Sequence, residues 1–149
     1  LTHRGLSCHF FFDGKKHLNM LSRRSDHIKE MAVFGLEPIL DAYFSNLIRG
    51  CQDIPCDKLC HLDAALRHNA PVLTEQHHAL IEELFALMRE KNIALEVNTS
   101  GYELRQQPYP AFPFIQRARQ LGIPLIIGSD AHHPEQVGRY FEKVKEDLE

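Results

Sequence analysis

Four short apolar runs, Leu6–Phe12, Lys58–Leu62, Ile93–Val97 and Pro124–Gly128, alternate along the chain with segments whose apolar residues recur at helical spacing. The runs are too continuously apolar to leave one face wet, so they predict strands buried on both sides, as in a parallel sheet covered by helices. Between the first two runs, the periodicity from Ser25 to Arg49 predicts two helices, with a break at Gly35 and Pro38 and an end at Gly50. Pro71 precedes a third helix, which Thr74 caps and whose stripe is Leu80, Ile81, Leu84, Phe85 and Met88. A long polar loop from Asn98 to Gln107 follows the third run. Pro113 suits the first position of a helix running through Ile115, Ala118 and Leu121 to Gly122. Pro134 predicts a last helix burying Val137, Phe141, Val144 and Leu148 on one stripe. The reading is one α/β domain of about four strand–helix units, with no repeat or linker to divide it.

Composition removes several classes of function. The 149 residues carry 17 basic and 20 acidic side chains, and no basic cluster exceeds Arg23-Arg24. That is not the electrostatic footprint of a nucleic-acid binder. No apolar run approaches the roughly 18 residues of a membrane span, and Leu1-Thr2-His3-Arg4 is not a leader, so the expectation is a cytoplasmic protein. Four unevenly spaced cysteines, Cys8, Cys51, Cys56 and Cys60, read as free thiols and not as a disulfide framework. Ten histidines are the compositional oddity.

Ligands of parallel α/β folds gather where strands hand over to the loops that follow them. Those ends carry His9, then His61 and Asp63, then Glu96 and Asn98, then Ser129, Asp130 and His132. Each is weak singly, and Asp63 reads as a cap or a solvated carboxylate. Together they put imidazole or carboxylate from every strand on one rim, a donor set that suits zinc, iron or manganese. His17, His27, His68, His77 and His78 read as surface residues, and His133 as a possible helix cap. Cys51, Cys56, Cys60 and His61 form a rival zinc constellation, but its spacing is not that of a knuckle, and Cys60 and His61 would point to opposite faces of a strand.

The stretch Ile127-Gly128-Ser129-Asp130-Ala131-His132-His133-Pro134-Glu135-Gln136-Val137-Gly138 resembles the closing motif of the polymerase and histidinol phosphatase (PHP) family. Leu95-Glu96-Val97-Asn98-Thr99-Ser100-Gly101, followed by Pro108-Tyr109-Pro110, is similar to its histidinol-phosphatase branch. Cys60-His61-Leu62-Asp63 resembles the family's Gly-His-x-Asp step, departing from it at Cys60, and Ser7-Cys8-His9-Phe10 its earlier Ser-Val-His-Phe step. The resemblance spans roughly residues 5 to 147.

What it implies is part of a distorted (β/α)7 barrel: a C-terminal portion holding about four βα units, and carrying part of a site for up to three divalent ions, zinc, manganese or iron. By motif position His9 and His61 share one metal, while Asp130 and His132 serve the others and form the catalytic pair. The family's opening His-x-His motif, another histidine and a bridging glutamate are expected ahead of residue 1. The implied reaction is hydrolysis of a small phosphorylated substrate, L-histidinol phosphate in histidine biosynthesis. Arg105 is the expected phosphate clamp, Asn98 a substrate contact, and Glu96 a support for a ligand histidine. Two alternatives remain open: a PHP hydrolase of another phosphate ester or nucleotide, and a non-catalytic half-barrel. An open half-barrel with two free sheet edges and an apolar inner face also predicts a homo-oligomer or another covering.

Overall fold

The computed structural model describes residues 3–68 and 73–149; Leu1 and the position of Pro71 lie outside them. Four strands, β1 (Gly5–Leu6), β4 (Lys58–Leu59), β5 (Ala94–Asn98) and β6 (Leu125–Gly128), form a sheet in the order β1-β4-β5-β6. Every pairing in it is parallel. The crossovers run through α2 (Leu36–Asp53), α3 (Glu75–Glu90) and α5 (Phe112–Gln120), so the alternation of strand and helix read from the sequence is the observed one. All five residues of central β5 are buried, as a near-continuous apolar strand requires.

The first apolar run departs from expectation. Only Gly5–Leu6 joins the parallel sheet; Phe10–Phe12 (β2) pairs antiparallel with His17–Asn19 (β3) around Asp13-Gly14. Continuous aromatic character hid a two-sided hairpin, in which Phe10 and Phe12 face solvent while Phe11 packs inward.

Gly35, at φ 78°, breaks α1 (Ser25–Phe34) from α2 as read, but Gly50 does not end α2, which continues to Asp53. A Cβ on Gly50 would lie 3.0 Å from Leu6 Cδ2, so this glycine permits close approach of helix to β1 instead of terminating the helix. The core lies on the outer face of the sheet, where Leu40, Phe44 and Leu47 of α2 meet Leu84, Phe85 and Met88 of α3 over Leu59 and Leu95. Each such side chain contributes about 1.5–3 kcal/mol by leaving water.

Thr74 caps α3 as expected, accepting from the His77 amide, while His77 Nδ1 accepts from the Thr74 amide. That reciprocal cap pulls His77 inward, so its reading as a surface residue is corrected: it is buried, with Nε2 3.2 Å from Asp41 Oδ1. The polar stretch after β5 is no open loop; it makes a 3-10 turn at Thr99–Gly101 and the short α4 (Tyr102–Arg105). Pro134 opens only a 3-10 turn, and the last helix, α6 (Phe141–Leu148), starts seven residues later. Val137 is therefore exposed, and Val144 alone of the expected stripe is fully buried. No helix of the described residues is long and apolar enough to cross a membrane.

Candidate metal and phosphate site

A cleft of about 540 Å³ opens at the carboxyl ends of the strands, and His9, His61, Asp130 and His132 all line it. The four residues singled out as metal ligands therefore converge. The His9 and His61 rings are 5.3 Å apart between centroids. His61 is buried, and its Nδ1 has no hydrogen-bond partner among the described residues. Asp130 and His132 sit exposed on the loop after β6. Two of the four, His61 (φ 32°) and Asp130 (φ 49°), hold left-handed backbone, which non-glycine residues adopt rarely and mostly where neighbours enforce it. Among the described residues, no three His, Cys, Asp or Glu side chains are yet close enough together to hold an ion.

The two residues read as substrate contacts are committed elsewhere. Arg105 makes a two-pronged pair with Asp63, Nη1 to Oδ2 and Nη2 to Oδ1 each at 2.9 Å, and also donates to the Pro108 carbonyl. Its guanidinium lies over the Tyr109 ring, 4.0 Å from the centroid. Asp63, 1% exposed, accepts a third bond from the Ala111 amide at 3.0 Å, so it is a buried anchor and not a solvated carboxylate. Asn98 is also buried; its amide donates to Glu96 Oε2 at 3.0 Å and its oxygen accepts from the Ser100 amide and hydroxyl. These bonds close the polar stretch over the end of β5 and commit both side chains to it, with Arg105 Nε alone of the guanidinium nitrogens lacking a partner among the described residues.

Glu96 alternates with Asn98 as expected, yet it does not support a histidine. Lys58, one strand away, donates to Glu96 Oε1 at 2.6 Å, and Asn98 takes the other oxygen. Lys58, Cys60 and Glu96 together floor the cleft, so the inner face of the sheet is polar where an apolar one was expected. The rival zinc constellation is also not assembled: Cys60 faces this cleft, whereas Cys51 and Cys56 line a separate cavity beside Lys91.

Lys58 escaped the sequence reading because it opens an apolar run; period-two alternation with Cys60 was the available signal. Arg67 escaped as well. It lines the cleft, is fastened to the Leu21 carbonyl through Nη1 at 2.9 Å, and its charge bears on His9. His133 occupies the start of the 3-10 turn without capping it.

Burial pushes the His61 imidazole below the ordinary histidine value near 6.5, with the neighbouring His9 adding to the effect. Burial lowers His9 too. The unfolded chain therefore binds these protons more readily than the folded one, so the stability gained from neutral imidazoles is present above about pH 6.5 and drains away as pH falls below it. In chelator, the urea midpoint is expected to drop between pH 7.5 and 5.5, and to drop less in His61→Gln. Equal drops in both proteins would refute the assignment to His61.

A family model described as PHP-associated matches residues 115–149. A probable histidinol-phosphatase of Thermotoga maritima is 33% identical over 91 residues, 60% of this chain and 39% of that protein. Another, of Deinococcus radiodurans, is 35% identical over 94 residues, 60% of this chain and 34% of that protein. Over these stretches the chain is similar to a PHP-associated segment and to proteins named as probable histidinol-phosphatases. In fold, the chain matches a crystal structure from Listeria monocytogenes, a protein provisionally assigned as a histidinol phosphatase, at a TM-score of 0.82 and 21% identity. That match covers 93% of this chain and 56% of the other. The matched part of the chain thus spans well under half the length of those curated proteins.

Proposed function

We propose that this chain is the C-terminal portion of a metal-dependent phosphoesterase of the histidinol-phosphatase type, a partial (β/α) barrel acting on L-histidinol phosphate in the cytoplasm. The observation that carries the reading is His61, buried beside His9 with a ring nitrogen that no group among the described residues satisfies. A buried polar atom left without a partner is costly, and a bound cation is one way to satisfy it. Imidazole and carboxylate also suit zinc, manganese or iron, so the donors fit such an ion in kind. His9 and His61 would hold one ion, and Asp130 and His132 would contribute to others.

Divalent ions, when bound, supply hydroxide near neutral pH and offset the charge of the ester. The chain's own part is to fix the donors and orient the substrate. Arg67, on the wall of the cleft beside His9, is the side chain placed to bind phosphate oxygens, the role Arg105 cannot take. The test is an assay on L-histidinol phosphate with added manganese, iron or zinc, using His61→Ala as the blank. Metal-dependent turnover above the blank supports the reading. Absence of both turnover and metal binding would favour a non-catalytic half-barrel.

A second reading concerns assembly. Among the described residues β1 and β6 pair on one side only, and Phe10, Phe12, Val33 and Phe34 are exposed. Open edges and uncovered aromatics favour self-association. Sedimentation equilibrium is expected to show a dimer or larger species at micromolar concentration; a monomer throughout would refute it.

A further inference from the structure

We infer that Arg139 is a positioning residue that fixes the Asp130–His132 turn, and with it the tautomer of His132, in the arrangement that divalent-cation binding requires. The inference rests on reading Asp130 and His132 as cation ligands. Arg139 is nine residues beyond Asp130 and 13% exposed, and all three of its guanidinium nitrogens are engaged. Nε donates to the Ser129 carbonyl at 3.0 Å, Nη2 to the Asp130 carbonyl at 3.3 Å, and Nη1 to Glu103 on α4. Three of its five N–H groups are thereby committed to protein acceptors.

The two carbonyls that Arg139 holds flank the residue with left-handed backbone. A planar donor fork set across successive carbonyls restricts that peptide far more than a single bond does. The Asp130 carbonyl has a second partner, His132 Nδ1 at 2.9 Å. A carbonyl can only accept, so Nδ1 carries the proton and Nε2 is left with the lone pair that a metal takes. The same oxygen therefore sets the His132 tautomer and is anchored by Arg139. Gln136 completes the turn by accepting from the His132 amide at 2.8 Å. Arg139 is in turn fastened at its own backbone, where the Thr99 hydroxyl donates to its carbonyl at 2.6 Å. Glu103 also faces Arg23 at 3.5 Å, which ties the clamp to the segment before α1.

The test uses the whole chain with Arg139→Ala, Arg139→Lys and Glu103→Gln, and reads two quantities. In chelator, nitrogen-15 correlation spectra report the His132 tautomer, and hydrogen exchange reports the His132 amide. The parent chain is expected to show the Nδ1–H form. Arg139→Ala is expected to give a tautomer mixture and exchange at least tenfold faster, Arg139→Lys a partial return, and Glu103→Gln a severalfold effect. Calorimetric titration with manganese is expected to show affinity about 10–100-fold weaker in Arg139→Ala, the scale found when supports of metal ligands are removed. An unchanged tautomer and unchanged exchange in Arg139→Ala overturn the inference. If Arg139→Ala does not fold, Glu103→Gln and Arg139→Lys decide, and unchanged spectra in both overturn it. If the metal-free readouts shift while the parent chain binds no manganese, the positioning role stands and the metal reading falls.

Discussion

Arg105→Ala is expected to cost about 3–5 kcal/mol of stability, the range for breaking a buried ion pair by removing one partner. The loss comes from what stays behind. Asp63 remains buried with only the Ala111 amide to satisfy it, and in a low-dielectric site a carboxylate stripped of its guanidinium is far worse off than one in water. The stacking of Arg105 on Tyr109 goes too. For a chain of this length the midpoint of thermal unfolding is expected to fall on the order of 10 °C. Pairing Arg105→Met with Asp63→Leu should recover much of the loss, since a buried pair often exchanges for packed apolar groups at little cost. A drop below about 1 kcal/mol in Arg105→Ala, typical of an exposed pair, would mean that Asp63 reaches solvent and that Arg105 is free to serve the cleft after all.

The second large effect is on rate. The 149-residue chain is expected to hydrolyse L-histidinol phosphate far more slowly than the roughly 1–10³ per second of ordinary enzymes, whichever metal is added. His9 and His61 leave a shared ion two protein ligands short of a four-coordinate site. Generating hydroxide and neutralising the ester both depend on ions fixed in number and spacing, and poor placement loses rate steeply. By the family resemblance a complete site needs more donors than His9, His61, Asp130 and His132, and the matched stretches cover only 39% and 34% of the two curated relatives. Turnover on the ordinary scale above the His61→Ala blank would show that the described donors suffice.

The repeating frame of this fold was legible because it rests on local patterns. Apolar β5, the Thr74 cap and the break at Gly35 each follow from a few adjacent residues. The ligand candidates were legible for a similar reason, since strand ends are predictable and parallel strands bring their ends together. What stayed hidden was who pairs with whom. Arg105 looked available because Asp63 lies 42 residues away, and Lys58 looked like the edge of an apolar run because Glu96 lies 38 residues away. Periodicity carries no information about such partners. The hairpin at Phe10–Asn19 was lost to a different ambiguity: three consecutive phenylalanines read as buried on both sides, although the antiparallel pairing exposes two of them. Gly50 misled because glycine marks both a helix end and a close approach of two backbones.

The Lys58–Glu96 pair on the inner face of the sheet bears on how a parallel sheet can leave one face uncovered by helices. A concave surface of leucine and valine would be an adhesive, collapsing on itself or on any neighbour until closure covered it. A lysine and a glutamate held 2.6 Å apart keep that surface hydrated and neutral at once. Water can occupy the hollow without penalty, so this face of the sheet can stay open.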